Sequence, residues 1–84
     1  MAFSFYEVGI GKGAELISII DPNLKAEVAN DNQIIFRNQL MSLSGAAIMI
    51  KREHGYNPVS LRGPSFWSLN GVLLSDLPKM KNDQ

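Results

Sequence analysis

One segment of this chain repeats its apolar residues with the period of an α-helix, whereas the segments around it resemble strands. The helical stripe, with the spacing i, i+3, i+4, i+7, is formed by Leu43, Ala46, Ala47, Ile50 and His54. Ser42 or Ser44 can cap the start of this helix, and Gly55 can end it. A single amphipathic helix must bury its stripe against another layer, which restricts the chain to folds in which one helix covers a sheet.

Three segments before the helix have the composition of strands. Residues 14–20 are rich in branched apolar side chains and end at the turn formers Asp21-Pro22. Residues 25–29 and 33–41 flank Asn30-Asp31-Asn32, a turn whose residues tolerate the left-handed region. We therefore predict an antiparallel hairpin over residues 25–41, which residues 14–20 join as a third strand.

The dipeptide Asn70-Gly71 is the clearest hairpin signal after the helix, because it favours the type I′ turn. It predicts paired strands over residues 66–69 and 72–74, and residues 59–62 can begin a further strand. The predicted fold is α+β, a small antiparallel sheet in β-β-β-α-β-β order with one main helix packed on one face. We expect a single domain over residues 3–78 and a polar C-terminal tail over residues 79–84.

The inventory of reactive residues argues against an enzyme. The chain has 84 residues, no cysteine and a single histidine, His54, so a disulfide framework, a thiolate zinc site and a multi-histidine site are excluded. No hydroxyl has a base placed beside it by the sequence, as nucleophilic catalysis requires. Gly9, Gly11 and Gly13 lack the spacing of a phosphate-binding loop and precede a strand, so we predict a structural turn. We expect no catalytic residues, no cofactor and no metal.

The N-terminus lacks the basic and apolar regions of a signal peptide, and no apolar run approaches the ~18 residues of a membrane span. We therefore expect a cytoplasmic protein that does not use a membrane.

Charge is distributed unevenly along the chain, although the formal net charge is zero. Residues 1–36 carry two lysines against five carboxylates, a net charge of −3, and residues 37–84 carry six basic residues against three carboxylates, a net charge of +3. Proteins that bind nucleic acid present basic surfaces to phosphates. The second half is therefore where a nucleic-acid surface is expected.

Several side chains in the second half have both a binding and a structural interpretation. Ser42 and Ser44 can hold a phosphate at the helix start, or can simply cap the helix. Arg62 can contact a phosphate, and Trp67 can stack on a base or anchor the core. Ile48, on the helix face expected to be exposed, can contact a partner or a second copy, or can be an ordinary surface residue.

The order of these motifs resembles the RAMA domain (restriction enzyme adenine methylase associated) and the similar small modules beside bacterial restriction nucleases and methylases. The resemblance rests on residues 35–39 (Ile-Phe-Arg-Asn-Gln), 42–47 (Ser-Leu-Ser-Gly-Ala-Ala), 59–67 (Val-Ser-Leu-Arg-Gly-Pro-Ser-Phe-Trp) and 70–77 (Asn-Gly-Val-Leu-Leu-Ser-Asp-Leu). It covers most of residues 3–77. It implies a non-catalytic DNA-recognition accessory, with modified bases as the proposed target and a restriction-related context.

Two functions of different class follow from these observations. The first is a DNA-binding module with weak, salt-sensitive affinity, and its expected site residues are Arg37, Ser42, Ser44, Lys51, Arg52, Arg62 and Trp67. The second is a protein-interaction or oligomerising subunit without DNA affinity, for example a phage or mobile-element regulator. The expected partners are DNA or a restriction-type enzyme subunit, with a homodimer through the face that carries Ile48 as a further possibility.

Overall fold

The structure is a computed structural model and describes residues 3–78, so the predicted tail over residues 79–84 lies outside the described residues. One helix, α1 (Leu43–Glu53), accompanies six antiparallel strands. The strands are β1 (Glu15–Ser18), β2 (Lys25–Val28), β3 (Ile34–Phe36), β4 (Gln39–Met41), β5 (Trp67–Leu69) and β6 (Val72–Leu73). Short 3-10 helices cover Tyr6–Val8, Gly63–Phe66 and Leu74–Asp76. The α+β class with one main helix on one sheet face is confirmed.

The strands form one sheet in the order β4-β3-β2-β1-β5-β6. Because side chains alternate between the faces of a strand, every second residue of the central strands is buried. The buried face meets the stripe of α1 and forms a single core. Its buried apolar members are Phe5, Ile10, Leu16, Ala26, Val28, Ile34, Phe36, Leu43, Ala46, Ile50, Trp67 and Leu74.

Both ends of α1 carry the capping motifs that the sequence indicates. Ser42 is the N-cap, and its Oγ accepts a hydrogen bond from the backbone N–H of Gly45 at 3.0 Å. At the other end, Gly55 has a φ of +90° and donates to the Arg52 carbonyl, while Tyr56 donates to the Lys51 carbonyl. This pair of bonds is a Schellman motif, which satisfies helix carbonyls that would otherwise lack donors.

The predicted strand over residues 33–41 was wrong in one respect, because the structure divides it into β3 and β4. Arg37 and Asn38 form the two-residue turn between them, with φ values of +54° and +64°. Positive φ at both turn positions is the geometry of a type I′ hairpin, which Asn favours and Arg does not. The hairpin at Asn70-Gly71 is confirmed, with φ values of +52° and +86°.

Residues 59–62 were wrongly predicted to begin a strand. Both sides of β1 are already paired, with β2 and β5, so the sheet leaves no central position for this segment. It instead leads into the 3-10 helix Gly63–Phe66, which packs against the start of α1. Val59 is 95% exposed as a consequence.

His54 was wrongly assigned to the buried stripe of α1. It is the C-cap residue and is exposed, because α1 ends at Glu53, one residue before the next position of the buried stripe. Its Nε2 lies 3.6 Å from a carboxylate oxygen of Asp21, in the turn after β1.

Candidate functional site

Trp67 cannot act as a stacking platform, so its assignment to a DNA surface is corrected. Its side chain is fully buried, and its ring meets that of Phe36 edge-on at a centroid distance of 5.8 Å. The indole Nε1–H donates to the Leu43 carbonyl at 3.3 Å. Base stacking requires an accessible ring face, and Trp67 instead joins β5 to the first turn of α1.

Arg37 is engaged by a carboxylate within the protein. Both of its terminal nitrogens contact the carboxylate of Glu53 at the end of α1, and its guanidinium lies 4.8 Å from the centroid of the Phe36 ring. The hydrogen bond from Arg37 lowers the pKa of Glu53, and the same bond raises the pKa of Arg37. Because its pKa is lowered in the folded protein, the Glu53 carboxylate stabilises the fold at pH values above the ordinary carboxyl pKa. This contribution is lost as the pH falls through the lowered pKa. Both side chains are substantially exposed, so this contribution is small.

Ser42, Ser44 and Arg62 are brought together at the wall of one groove of about 550 Å³. The Ser44 Oγ accepts from the backbone N–H of Gly63 at 3.1 Å, which places Arg62 beside the first turn of α1. Because both serine oxygens accept backbone N–H groups, their hydroxyl hydrogens remain able to donate into the groove. Glu7 lines the same groove and contributes a negative charge.

Substitution can separate the structural role of Ser42 as a helix cap from any role in binding. We expect Ser42→Ala to lower the free energy of unfolding by about 0.5–2 kcal/mol, because the Gly45 N–H loses its capping acceptor. Ser42→Asn should retain most of the stability, since Asn is also a good N-cap. Urea denaturation followed by circular dichroism measures the difference, and Ser60→Ala, at an exposed loop position, is the matched control. Equal stability of the Ser42→Ala and Ser60→Ala variants would contradict the cap.

A second cluster lies at the C-terminal end of α1, around a cavity of about 400 Å³ lined by Ile19, Ile20, Lys51, His54, Tyr56 and Phe66. The Lys51 ammonium lies 4.5 Å from the centroid of the Tyr56 ring and 5.6 Å from that of Phe66. Tyr56 is 60% exposed. The sequence interpretation did not consider Tyr56, although its position after Gly55 in a helix C-cap was a usable signal.

Three cations without a carboxylate partner lie on α1 or beside its first turn. The ion pairs recorded for residues 3–78 join Lys25 to Glu15 and Arg37 to Glu53, and His54 contacts Asp21 at 3.6 Å. Lys51, Arg52 and Arg62 take part in none of them within that range. By contrast, Glu15 and Glu27 are opposite each other on the outer face of the sheet. Lys25 lies on that same outer face and contacts Glu15, so the outer face carries charges of both signs.

Ile48 is half-buried, so the face that was expected to expose it presents less apolar surface than predicted. More exposed apolar side chains lie on the outer face of the sheet, where Leu40 is 58% and Ile35 is 39% exposed and the two are cross-strand partners.

Within residues 3–78, no group of three or more histidine, aspartate or glutamate side chains is placed to hold a metal ion. No helix in that range has both the length and the apolar character to cross a membrane.

The fold and these two clusters define a small α+β domain with one capped helix and basic side chains on it and beside its first turn. Comparison with protein-family models, curated proteins and solved structures gives no match to this chain.

Proposed function

We propose that this protein is a small, non-catalytic DNA-recognition module that acts in a restriction-related context. The observation that supports this most directly is that three of the four basic side chains without a carboxylate partner among residues 3–78, namely Lys51, Arg52 and Arg62, lie on or beside α1; the fourth is Lys12. Two residues expected from the sequence are left out of the proposed DNA surface, since Trp67 is buried and Arg37 is paired. Cations without a carboxylate partner gain more from a phosphate than cations in ion pairs do, because no carboxylate partner must be given up.

The spacing of these cations suits a nucleic-acid backbone. Arg62 lies beside the first turn of α1, whereas Lys51 and Arg52 lie in its last turn. A rise of 1.5 Å per residue separates the two ends by about 14 Å, which corresponds to about four nucleotides of a DNA strand. Ser42 and Ser44 would add hydroxyl donors at the Arg62 end.

The resemblance to RAMA-like modules supplies the remainder of this proposal: modified bases as a target and a restriction-type enzyme as a partner in a cytoplasmic setting. With few unpaired cations and zero formal net charge, the isolated module binds DNA weakly, and its affinity falls with salt with a log–log slope of about −2.7 if each of the three cations neutralises one phosphate.

DNA affinity measured at several salt concentrations tests the proposal. We expect Arg52→Ala and Arg62→Ala each to weaken duplex binding and to reduce the slope of log K against log salt by about 0.9, because each removes one phosphate contact. Lys12→Ala is the matched control, since Lys12 is an exposed cation in the acidic half of the chain. Equal effects of all three variants, or no salt-dependent binding at all, would overturn the proposal.

A protein-interaction subunit is the second candidate, and a different surface favours it. Of the exposed pair, Ile35 lies in β3 and Leu40 lies in β4. β4 is an edge strand without a charged residue or proline. Self-association in sedimentation experiments, together with an absence of DNA affinity, would select this candidate.

A further inference from the structure

We propose that the cavity at the C-terminal end of α1 is a site for a single unpaired nucleotide, with Tyr56 as the stacking platform and Lys51 as the contact to its phosphate. This inference rests on the DNA-binding function proposed above and specifies the form of nucleic acid that the surface prefers. It gives the stacking role to a residue that the sequence interpretation did not consider.

The helix C-cap holds the Tyr56 ring in place before any ligand arrives. Tyr56 is the second residue after the helix end in the Schellman motif, and its N–H donates to the Lys51 carbonyl at 3.0 Å. In this motif the side chains of these two positions pack together. Here the contact is the Lys51 ammonium over one face of the Tyr56 ring. The ring therefore needs no large rearrangement to accept a second planar group.

The exposure of Tyr56 shows that the cap contact leaves much of the ring available. With one face covered by Lys51, the side chain is still 60% exposed. A nucleobase stacked on the open part of the ring removes this surface from water, and every base has a suitable flat face.

The groups around the ring match a nucleotide better than a simple anion or an apolar ligand. Lys51 provides a positive charge, and Phe66, Ile19 and Ile20 provide apolar walls for the base. The Nε2 of His54, which also lines the cavity, lies 3.6 Å from a carboxylate oxygen of Asp21. A base in a duplex has both faces covered by its neighbours, so only an unpaired or extruded base can stack on Tyr56.

Two labelled oligonucleotides test the site: a single strand of mixed sequence and the duplex formed by the same strand and its complement. Fluorescence anisotropy at two salt concentrations gives both affinities. We expect Tyr56→Ala to weaken single-strand binding by about 5- to 150-fold, the effect of losing one stacked base, with a much smaller effect on the duplex. Tyr56→Phe should retain single-strand binding, because the ring remains. Lys51→Met should reduce the salt slope for the single strand by about 0.7.

Tyr6→Ala is the matched control, because Tyr6 has a similar exposure of 54% but does not line this cavity. Tyr56→Phe and Lys51→Met keep the test valid if Tyr56→Ala loosens the helix end. Duplex binding that depends on Arg52 and Arg62 but is unaffected by Tyr56→Ala, with no preference for the single strand, would overturn the nucleotide site and leave the proposed function standing. Absence of binding to either oligonucleotide would overturn both.

Discussion

Replacing Trp67 with alanine is expected to lower the free energy of unfolding by about 3–5 kcal/mol, because it removes the largest fully buried side chain of the core. Domains of this length have a total stability of about 4–13 kcal/mol, so the substitution removes a large share of the total. Two contacts contribute to the loss: the edge-on packing against Phe36 and the hydrogen bond from Nε1 to the Leu43 carbonyl.

Trp67→Phe separates these two contributions. It retains an aromatic ring but leaves the buried Leu43 carbonyl without this donor, at a cost of about 1–3 kcal/mol. Urea denaturation followed by circular dichroism measures all variants without relying on tryptophan fluorescence. Tyr6→Ala, the loss of an exposed aromatic residue, should change stability by less than about 0.5 kcal/mol. A Trp67→Ala variant as stable as Tyr6→Ala would show that the indole is not part of the core.

Replacing Gly63 with alanine should destabilise the fold by an amount near the upper end of the ~1–3 kcal/mol that overpacking costs. A Cβ at this position would lie 2.6 Å from the backbone nitrogen of Ser44 and 2.6 Å from the Leu43 Cβ. The obstacle includes backbone in the first turn of α1, which cannot move away as a flexible side chain would. The 3-10 helix must therefore separate from α1, and the bond from the Gly63 N–H to the Ser44 Oγ lengthens.

Gly11→Ala provides the comparison for Gly63→Ala. A Cβ at Gly11 meets no atom within 4 Å, so this substitution should be neutral or should raise stability by about 0.4–1 kcal/mol. The gain arises because alanine lowers the conformational entropy of the unfolded chain. Thermal denaturation gives the two stabilities, and the NMR signal of the Trp67 indole N–H reports the position of Leu43. If Gly63→Ala leaves both the melting temperature and this signal unchanged, the close packing of these two segments is wrong.

Much of the fold was accessible from local pattern. Ser42 and Gly55 were correctly predicted to mark the start and the end of α1, because capping depends on residues close together in sequence. The Asn70-Gly71 turn was likewise found from its dipeptide. The turn at Arg37-Asn38 was missed because Arg rarely adopts positive φ, and here it does so while contacting Glu53, which lies 16 residues further along the chain.

The candidate site was only partly accessible in the same way. Arg52, Arg62, Ser42 and Ser44 were named from the sequence, and Ser42, Ser44 and Arg62 line one groove. The exposure of each aromatic residue could not be inferred from the sequence, because it depends on which segments pack against Trp67 and Tyr56 in the folded chain. The sequence left Trp67 as either a stacking residue or a core residue; the structure buries it fully, whereas Tyr56 is 60% exposed.

Periodicity, caps and turn residues are short-range properties, and they alone predict one helix and an antiparallel sheet. The separation of charge between the two halves of the chain is likewise evident from the sequence. Burial and pairing are long-range properties, since they depend on which segment occupies each side of the sheet and each end of the helix. Docking of β5 beside β1 buries Trp67, and docking of the 3-10 helix on α1 places Arg62 beside Ser44. Which cations remain unpaired, and which aromatic ring faces solvent, follows from those contacts.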